Sequence, residues 1–460
     1  MSSSIKSACT LTVLSVLLVS CADQPTQPLR QIPGMAHASL SPNLSTPDLV
    51  RQLAAARGIT PLPSRVPIRP SLVRLGQALA FDKVLSGNRD ISCMTCHLPS
   101  LATGDGRSLS IGQGASGFGS DRRHPQNVFI PRNAPPLFNL GAMRHLFWDG
   151  RIQRSALGTI NTPVGDQVTA AMQRTFEFGP VSAIGMFPVT NRAEMRADKK
   201  NELADVSDAD NPRIWAGLMQ RLGAIPEYRE MFETAYPGEP FAQMTFAHAS
   251  NAIAGFFVDQ LTFADTPWDR FLGGHDAALS PKQLQGAQTF LSLKCSICHN
   301  GSTFSDEQFH NVAVAQIGPG KGNGPSGRDD FGRMNVTGLA SDQYLFRTTP
   351  LRNVEITGPY GHDGSILSLR GFVEHYSESD KKLRAFDPSP LEPLLRGTLL
   401  PNADAVLATR DTLLDGVVLT EELVGQLMAY MSALTDPAAR TLGRVTPKRV
   451  PSGLRVDGGR

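Results

Sequence analysis

The sequence predicts a mostly α-helical fold of two similar halves with long loops, and three observations support this prediction. Apolar residues recur three and four positions apart in five segments, 72–81, 212–222, 244–261, 281–293 and 420–434, which is the spacing of a helix face. Strictly alternating apolar residues, which would indicate strands, are scarce. A Cys-x-x-Cys-His motif occurs at Cys93 and again at Cys295, and each copy is followed by Pro-Leu-x-Asn and then Asp-Gly. Several motifs repeated in one order indicate two helical domains related by internal duplication.

The first 21 residues have the composition of an export signal. One cation, Lys6, precedes an apolar stretch over 8–19 that is too short to remain as a membrane-spanning helix. The stretch ends in the letters LVSC at 18–21, which is similar to the bacterial signal that leaves a lipidated cysteine at the new N-terminus. We therefore expect a periplasmic lipoprotein whose only membrane attachment is a lipid anchor at Cys21, with simple cleavage nearby as the alternative.

The rest of the chain divides where its composition changes. Residues 22–70 contain nine prolines, which interrupt regular backbone hydrogen bonding, and are predicted to be a tether. Residues 71–275 and 276–436 each contain one copy of the repeated motifs and are predicted to be the two helical domains. Residues 437–460 contain six cations against one acid and are predicted to be a solvated basic tail.

Two further features bear on partners and mobility. The 44 Lys and Arg residues are balanced by 42 Asp and Glu residues, for a formal charge of +2, so a basic field for nucleic acid is not expected. Residues 318–332 are rich in glycine and contain no phosphate-loop lysine followed by Ser or Thr, so we predict a mobile loop there.

Each Cys-x-x-Cys-His motif is typical of covalent haem attachment. The thiols can bond to the two vinyl groups of one haem, and the adjacent imidazole can bind its iron. A redox disulfide would not need the histidine, and a zinc site would need more ligands nearby. The sequence thus predicts two haem c groups, held by Cys93, Cys96 and His97 and by Cys295, Cys298 and His299.

The motifs around these sites resemble those of the bacterial di-haem cytochrome c peroxidases and their relative MauG, from about residue 71 to 434. The matching segments are FDxxLS at 81–86, SCxxCH at 92–97, RNAP at 132–135, FWDGR at 147–151, the stretch 188–195, PLRN at 350–353 and HDGS at 362–365. The resemblance implies an enzyme that reduces hydrogen peroxide. Its electrons would come from a donor protein, such as a small cytochrome c or a cupredoxin, or from an oxidisable tryptophan or tyrosine of a protein substrate.

The sixth iron position decides whether such a haem binds peroxide. In the peroxidases an Ile-Gly-His-Gly segment supplies a histidine that blocks the N-terminal iron, whereas this chain has Gln113 in that place. An amide is a poor iron ligand, so the resemblance implies a haem that is open without prior reduction. His124 is the alternative ligand, although a loop histidine before a proline is more often exposed.

The resemblance also assigns catalytic residues. Glu194 would move a proton between the two peroxide oxygens, Pro188 would line the pocket, and Trp148 would lie between the haems to shorten electron transfer. A surface glutamate and a core tryptophan are the alternative interpretations. The family has a glutamine ten residues before this glutamate, where the chain has Ile184.

The second haem is predicted to have a tyrosine ligand. Ordinary peroxidases place a methionine fourteen residues after the histidine of His-Asp-Gly-Ser, and this chain has Tyr376 there, counted from His362. MauG-like proteins share the tyrosine, whose phenolate oxygen stabilises higher oxidation states of iron. A core tyrosine is the alternative, with His375 or Met334 as the ligand.

A calcium ion at the domain junction is also implied by the resemblance. Asn133, Thr357 and Pro359 occupy the positions that supply one amide and two backbone oxygens in the family, which are hard ligands suited to calcium. They are equally typical of turns.

Two alternative functions remain open at this stage. A protein-modifying oxidase is one, but Leu293 stands where MauG has the tryptophan that leads to its substrate, so the same substrate is not expected. A non-catalytic electron-transfer cytochrome with both irons six-coordinate is the other, and Gln113 and Glu194 argue against it.

Overall fold

The computed structural model describes residues 46–63 and 67–458, in which helices are joined by long loops. Before residue 276 the helices are α1 (Thr46–Ala56), α2 (Pro70–Phe81), α3 (Cys93–Cys96), α4 (Ala170–Arg174), α5 (Asn211–Gly223), α6 (Pro226–Ala235), α7 (Phe246–Gln260) and α8 (Pro267–Leu272). Beyond it they are α9 (Pro281–Ser292), α10 (Cys295–Cys298), α11 (Met334–Thr337), α12 (Leu369–His375), α13 (Ser379–Arg384), α14 (Pro393–Arg396), α15 (Ala403–Ala408) and α16 (Glu421–Ala433).

Strands are few and short in the described residues, which confirms the mostly helical fold class. β1 (His145–Leu146), β2 (Ile152–Arg154) and β3 (Ile160–Asn161) form one antiparallel sheet, and β4 (Phe309–His310) pairs with β5 (Phe346–Arg347). His145 lies opposite Gln153, and Phe309 lies opposite Arg347. No helix among the described residues has the length and apolar character needed to cross a membrane.

All five helices predicted from apolar periodicity are present, with ends that differ from the prediction by at most two residues. Local chemistry explains the start of α9. The Ser280 hydroxyl accepts the N–H of Gln283, whose side chain accepts the N–H of Ser280 in return, and Pro281 occupies the first turn. Such a cap satisfies N–H groups that have no partner within the helix.

The same helix crossing occurs in both halves. Helix α2 packs on α7, and α9 packs on α16. At each crossing a glycine faces a backbone carbonyl, Gly76 against Ala252 and Gly286 against Gln426, so closely that an added Cβ would clash. Glycine is therefore required at both crossings.

The asparagine of each Pro-Leu-x-Asn motif also has the same role in both halves. Asn139 and Asn353 are left-handed, with φ of 58° and 64°. Their N–H groups donate to the carbonyls of Leu261 and Leu434, the residues that directly follow α7 and α16, at 3.0 and 2.9 Å. The side-chain oxygen of Asn139 accepts the N–H of Phe263, and that of Asn353 accepts the N–H of Asp436, in each case two residues beyond the leucine.

Apolar side chains form two large cores, one in each half. The first lies around α2, α5, α6 and α7, with Trp215 and Phe256 at its centre. The second lies around α8, α9 and α16, with Trp268 and Tyr430 fully buried. Each core supports one of the Cys-x-x-Cys-His helices.

Helix α1 differs from the irregular tether predicted over 22–70. Its only proline, Pro47, lies in the first turn, where a missing N–H is harmless. Val50 and Ala54, four residues apart, are fully buried in the second core. The remaining part of the predicted tether up to residue 45, the export signal and Cys21 lie outside the described residues.

The segment 437–458, here called the C-terminal strap, differs from the predicted solvated tail. It returns to the first half, where Leu442, Val445, Val450 and Val456 are buried in the first core. The apolar residues alternate with the cations, so the count of charges concealed a segment able to bury one face.

Candidate active site

The two Cys-x-x-Cys-His motifs adopt the same local structure. Each begins with a one-turn helix, α3 or α10, and the histidine follows it directly. The Nδ1 of His97 lies 2.9 Å from the carbonyl of Thr103, and the Nδ1 of His299 lies 3.0 Å from that of Phe304. Because a carbonyl can only accept, each Nδ1 carries the proton, and Nε2 is left with its lone pair for a metal.

The four cysteines of the motifs are free thiols. Burial raises the pKa of Cys93 and of Cys295 to about 11 in each case, so both thiols are uncharged at neutral pH. In each motif, two thiols beside one imidazole with a free Nε2 fit a covalently attached haem, in which each sulfur ends as a thioether.

Glu194 lies in a single π-helical turn over 192–196, a rare local structure that is frequent at functional sites. Asn191 caps this turn, because its side-chain oxygen accepts the N–H of Glu194 at 3.0 Å. The N–H of Gln113 donates to the carbonyl of Glu194, also at 3.0 Å. The structure thus brings together the backbones of the two residues predicted for the distal side of the first haem. Pro188 lies six residues before Glu194, and its carbonyl accepts the N–H of Asn191 at 3.3 Å.

The side chains that compete for this site point elsewhere. The side-chain oxygen of Gln113 lies 3.4 Å from the amide nitrogen of Asn88. The Nδ1 of His124 accepts the N–H of Gln126 at 3.1 Å, so the proton of the neutral ring sits on Nε2 and leaves it no lone pair for iron. This arrangement argues against His124 as a ligand. Ile184 packs against the first core.

Trp148 lies at the junction of the two halves. Its Nε1 donates to the carbonyl of Asn133 at 2.9 Å, and its own carbonyl accepts the N–H of Arg347 at 2.9 Å. The N–H of Asn133 donates in turn to the carbonyl of His362 at 2.9 Å. Trp148 is therefore connected to two segments of the second half, to Arg347 through its backbone and to His362 through the bond of its indole to Asn133.

Buried ion pairs fix the same junction. Arg132 of the first half binds both carboxylate oxygens of Asp330 of the second half, at 2.6 and 2.8 Å, and one oxygen of Asp149 at 2.6 Å. Although burial by itself raises the pKa of Asp149, the charges of Arg132 and Arg151 hold it well below its usual range. A buried ion network of this kind fixes orientation more than it adds stability.

Tyr376 directly follows α12 and packs edge-on against Phe372, with ring centroids 5.5 Å apart. Burial raises the pKa of its hydroxyl above the usual range, so the free side chain stays a neutral phenol. The neighbouring His375 is buried, and its Nε2 lies 2.7 Å from the carbonyl of Val312, so Nε2 donates there and has no lone pair for iron. Met334 is half-buried at the start of α11.

A second cluster near Cys298 is explained by haem attachment. The thiol of Cys298, Asp306 and His310 lie close enough to share a metal ion. His310 is held between Asp306 and Asp411, and although burial lowers its pKa, the two carboxylates raise it to about 12. The ring is therefore a cation without a lone pair for a metal, so the cluster does not fit a separate metal site.

A small cavity lies beside the three predicted calcium ligands, Asn133, Thr357 and Pro359. The amide nitrogen of Asn133 donates to the carbonyl of Arg107 at 2.9 Å, which leaves its side-chain oxygen for a ligand. Asp105 also lines the cavity, is 2% exposed and has one carboxylate oxygen without a hydrogen-bond partner. Burial raises the pKa of Asp105 to about 6. An orphaned carboxylate beside an amide oxygen fits a hard cation.

Sequence analysis missed Asp105, since a lone acidic residue in a loop gives no signal until the fold places it beside Asn133. The glycine-rich loop over 318–332, which was predicted to be mobile, has specific side-chain contacts in the structure. The Arg328 side chain donates to the carbonyl of Gly318 at 3.1 Å, and Tyr344 donates to Asp329 at 2.8 Å. These bonds fix the loop in one conformation.

Residues 70–277 match the family model described as di-haem cytochrome c peroxidase. The cytochrome c551 peroxidase of Pseudomonas aeruginosa is 30% identical over 343 residues, which are 73% of this chain and 81% of that protein. The methylamine utilization protein MauG of Methylorubrum extorquens is 28% identical over 72% of this chain and 76% of that protein. The crystal structure of a MauG-like protein associated with microbial copper homeostasis is 26% identical, with a TM-score of 0.57 over 83% of this chain and 95% of that chain.

Proposed function

Since the chain belongs to the di-haem cytochrome c peroxidase family, we propose that it is an exported peroxidase of the MauG-like branch that reduces hydrogen peroxide with electrons from an external donor. The observation that carries this proposal is the contact between Gln113 and Glu194. It joins the backbone of Gln113, the residue that stands in place of the blocking histidine, to the backbone of Glu194, the proposed acid-base residue. Two electrons and two protons convert one peroxide molecule to two waters, so the site has to manage protons as well as electrons.

Glu194 is proposed as the group that manages the protons. When bound, the haem held by Cys93, Cys96 and His97 supplies an iron at which peroxide is reduced. The Glu194 carboxylate takes a proton from one peroxide oxygen and returns it to the other, because a carboxylate within hydrogen-bond reach can serve as base and then as acid. Asn191 and Gln113 hold the backbone of Glu194 in place, and Pro188 presents a side chain without a competing proton.

A second haem would be held by Cys295, Cys298 and His299, and Tyr376 would offer its phenol oxygen to the iron. The bond from His375 to Val312 supports Tyr376 as the ligand. An anionic oxygen ligand lowers the reduction potential of iron, which suits a haem that stores one oxidising equivalent. Trp148 is proposed to carry electrons between the haems, supported by its bonds to both halves.

Calcium is proposed to bind in the cavity at the junction. Asn133 supplies its side-chain oxygen and Thr357 and Pro359 their backbone oxygens, while the Asp105 carboxylate balances the charge. The partnerless oxygen of Asp105 is the observation in favour. A cation there would tie Asn133, whose carbonyl binds Trp148, to the second half.

Two further proposals concern origin and location. The matching glycine crossings and left-handed asparagines support an internal duplication. The leader sequence and the haem c motifs support export to the periplasm with a lipid anchor at Cys21. The donor is a small redox protein or an oxidisable side chain of a partner protein, and the relatives named MauG keep the second possibility open.

The function is tested with the purified protein carrying both haems. The ferric EPR spectrum should show one high-spin and one low-spin haem, and one equivalent of peroxide should be consumed without prior reduction. Glu194→Gln should keep both signals and slow the peroxide reaction about 100-fold or more, the scale of a lost acid-base group. Glu230→Gln, on the exposed face of α6, is the matched control and should react as the wild type. Two low-spin signals, or an unchanged rate in Glu194→Gln, would contradict the proposal.

A further inference from the structure

The second core contains a group of five buried aromatic rings, here called the aromatic cluster: Trp268, Phe271, Phe290, Phe304 and Tyr430. The Trp268 indole stacks on Phe271, with centroids 5.4 Å apart and 29° between the planes. It meets Tyr430 edge-on at 5.0 Å and Phe304 at 6.3 Å. Such rings pack well in any apolar core, so packing alone does not distinguish the cluster.

The cluster is directly connected to the second haem site. The carbonyl of Phe304 accepts the Nδ1–H of His299 at 3.0 Å, and the ring of the same residue contacts Trp268. One hydrogen bond and one side chain therefore separate the proximal histidine from the indole. This hydrogen bond and the Phe304 side chain form a direct path for electron transfer between His299 and Trp268.

The polar atoms of the cluster are unusual. The Nε1 of Trp268 and the hydroxyl of Tyr430 are both buried without a hydrogen-bond partner. The chain has three tryptophans, and the other two donate their N–H groups, Trp148 to Asn133 and Trp215 to Met186. Phenylalanine would fill much of the same space with no orphaned donor. A buried donor without an acceptor calls for an explanation, and a redox role is a recognised one.

We propose that Trp268 is an oxidisable side chain that gives one electron to the C-terminal haem when peroxide has been consumed and the external donor is absent. The proposal rests on the peroxidase function, because peroxide supplies the two oxidising equivalents. The indole loses one electron and the haem site gains it, while the N–H proton stays in place because no acceptor is near. The product is a tryptophan cation radical, which an external reductant later returns to the neutral indole.

The surroundings favour Trp268 over Tyr430 as the oxidised group. Oxidation of a phenol requires loss of its proton, and the Tyr430 hydroxyl has no acceptor. Burial also raises the pKa of Tyr430 far above its usual range. The neighbouring charges, Asp269 and Arg352, form a buried pair at 2.8 and 2.9 Å and so place no net positive charge beside the indole.

A short route leads from Trp268 to the surface. The Phe271 ring that stacks on the indole is covered on α1 by Arg51, whose guanidinium lies 4.4 Å from the ring centroid. The Arg51 side chain is partly exposed and also donates to the carbonyl of Phe271. A reductant that approaches α1 therefore comes within one aromatic ring of Trp268.

The test uses the protein with both haems, mixed with peroxide in the absence of donor and frozen for EPR. We expect an organic radical whose spectrum narrows when the protein is made with ring-deuterated tryptophan. Trp268→Phe should lose this signal while peroxide is still consumed. Trp215→Phe, an equally buried tryptophan in the first core, and Tyr430→Phe should keep it.

Peptide mapping of the wild type after repeated peroxide additions gives a second readout that needs no variant. Oxygen addition should concentrate at Trp268 rather than Trp215. A radical that persists in Trp268→Phe, or a wild type that consumes peroxide and shows neither a tryptophan radical nor oxidation of Trp268, would overturn this inference and leave the peroxidase function intact. A wild type that does not consume peroxide would overturn both.

Discussion

The strongest stability prediction concerns Asp457, near the end of the C-terminal strap. Its carboxylate accepts the hydroxyl of Thr95 at 2.6 Å and pairs with the ammonium of Lys83, also at 2.6 Å. Thr95 lies between the two cysteines of the first haem motif, and it also bonds to the N–H of Ser92. The strap thus holds the helix to which the first haem is attached.

Asp457→Ala removes the carboxylate that binds both Thr95 and Lys83. The Asp457 and Lys83 side chains are 8% and 15% exposed, so the ammonium is left with little access to water. Breaking such a buried pair costs about 3–5 kcal/mol, and the partial exposure of Lys83 places the expected loss near the lower end, at about 3 kcal/mol. Because Thr95 loses its acceptor too, hydrogen exchange at residues 93–97 should accelerate.

The matched control is Arg449→Ala in the same strap. Arg449 pairs with Glu227, but these side chains are 72% and 42% exposed, so the loss should be at most about 1 kcal/mol. The assay is denaturant unfolding of the haem-loaded variants, followed by absorbance of the haems and by circular dichroism. A midpoint for Asp457→Ala that matches the Arg449→Ala midpoint, with unchanged exchange at 93–97, would refute the argument for a structural strap.

Two further predictions concern the second haem and the cation. Tyr376→Phe should change the low-spin ferric EPR signal, and Tyr376→Met should raise the potential of that haem, since a thioether favours reduced iron; an unchanged signal in Tyr376→Phe would return the ligand to His375 or Met334. Adding calcium to protein stripped with a chelator should raise the unfolding temperature, because an ion that binds only the folded state stabilises it. Asp105→Asn should bind calcium more weakly in a calorimetric titration, and equal affinity would remove Asp105 from the site.

The features that the sequence predicted correctly are local ones. Helix periodicity is set by residues three and four apart, so the five main helices could be placed to within two residues. The cap of α9 and the geometry of the haem motifs likewise depend on neighbours in the chain. The positions of Glu194 and Gln113 could be assigned only by resemblance, because their contact joins residues 81 positions apart.

The features that the sequence could not predict depend on distant partners. The strap has the composition of a basic tail, and its order depends on distant partners in the first half. Thr95 and Lys83 donate to Asp457, and the Asp82 carboxylate accepts the N–H and the hydroxyl of Ser452. Helix α1 was hidden among prolines because its burial is against α9, more than 200 residues away. Asp105 becomes informative only beside Asn133, and the aromatic cluster only beside His299.

The repeated Asp-Gly motif acquires a meaning from the structure that repetition alone does not supply. In each half the aspartate accepts the N–H two residues on, at 3.2 Å for Asp149 and 3.1 Å for Asp363. The glycines that follow have positive φ, 66° for Gly150 and 63° for Gly364, a conformation that other residues rarely adopt.

Both glycines face the opposite half of the molecule. An added Cβ on Gly150 would clash with the ring of Phe309, and one on Gly364 would lie 2.6 Å from the backbone of Ser108. Each copy of the motif therefore forms one side of the junction around Trp148, where the carbonyl of Asn133 accepts the indole N–H and Arg347 donates to the backbone carbonyl of Trp148. Electron transfer between two haems depends steeply on their separation. A motif repeated in both halves and used at their contact thus fixes the separation of the two Cys-x-x-Cys-His sites.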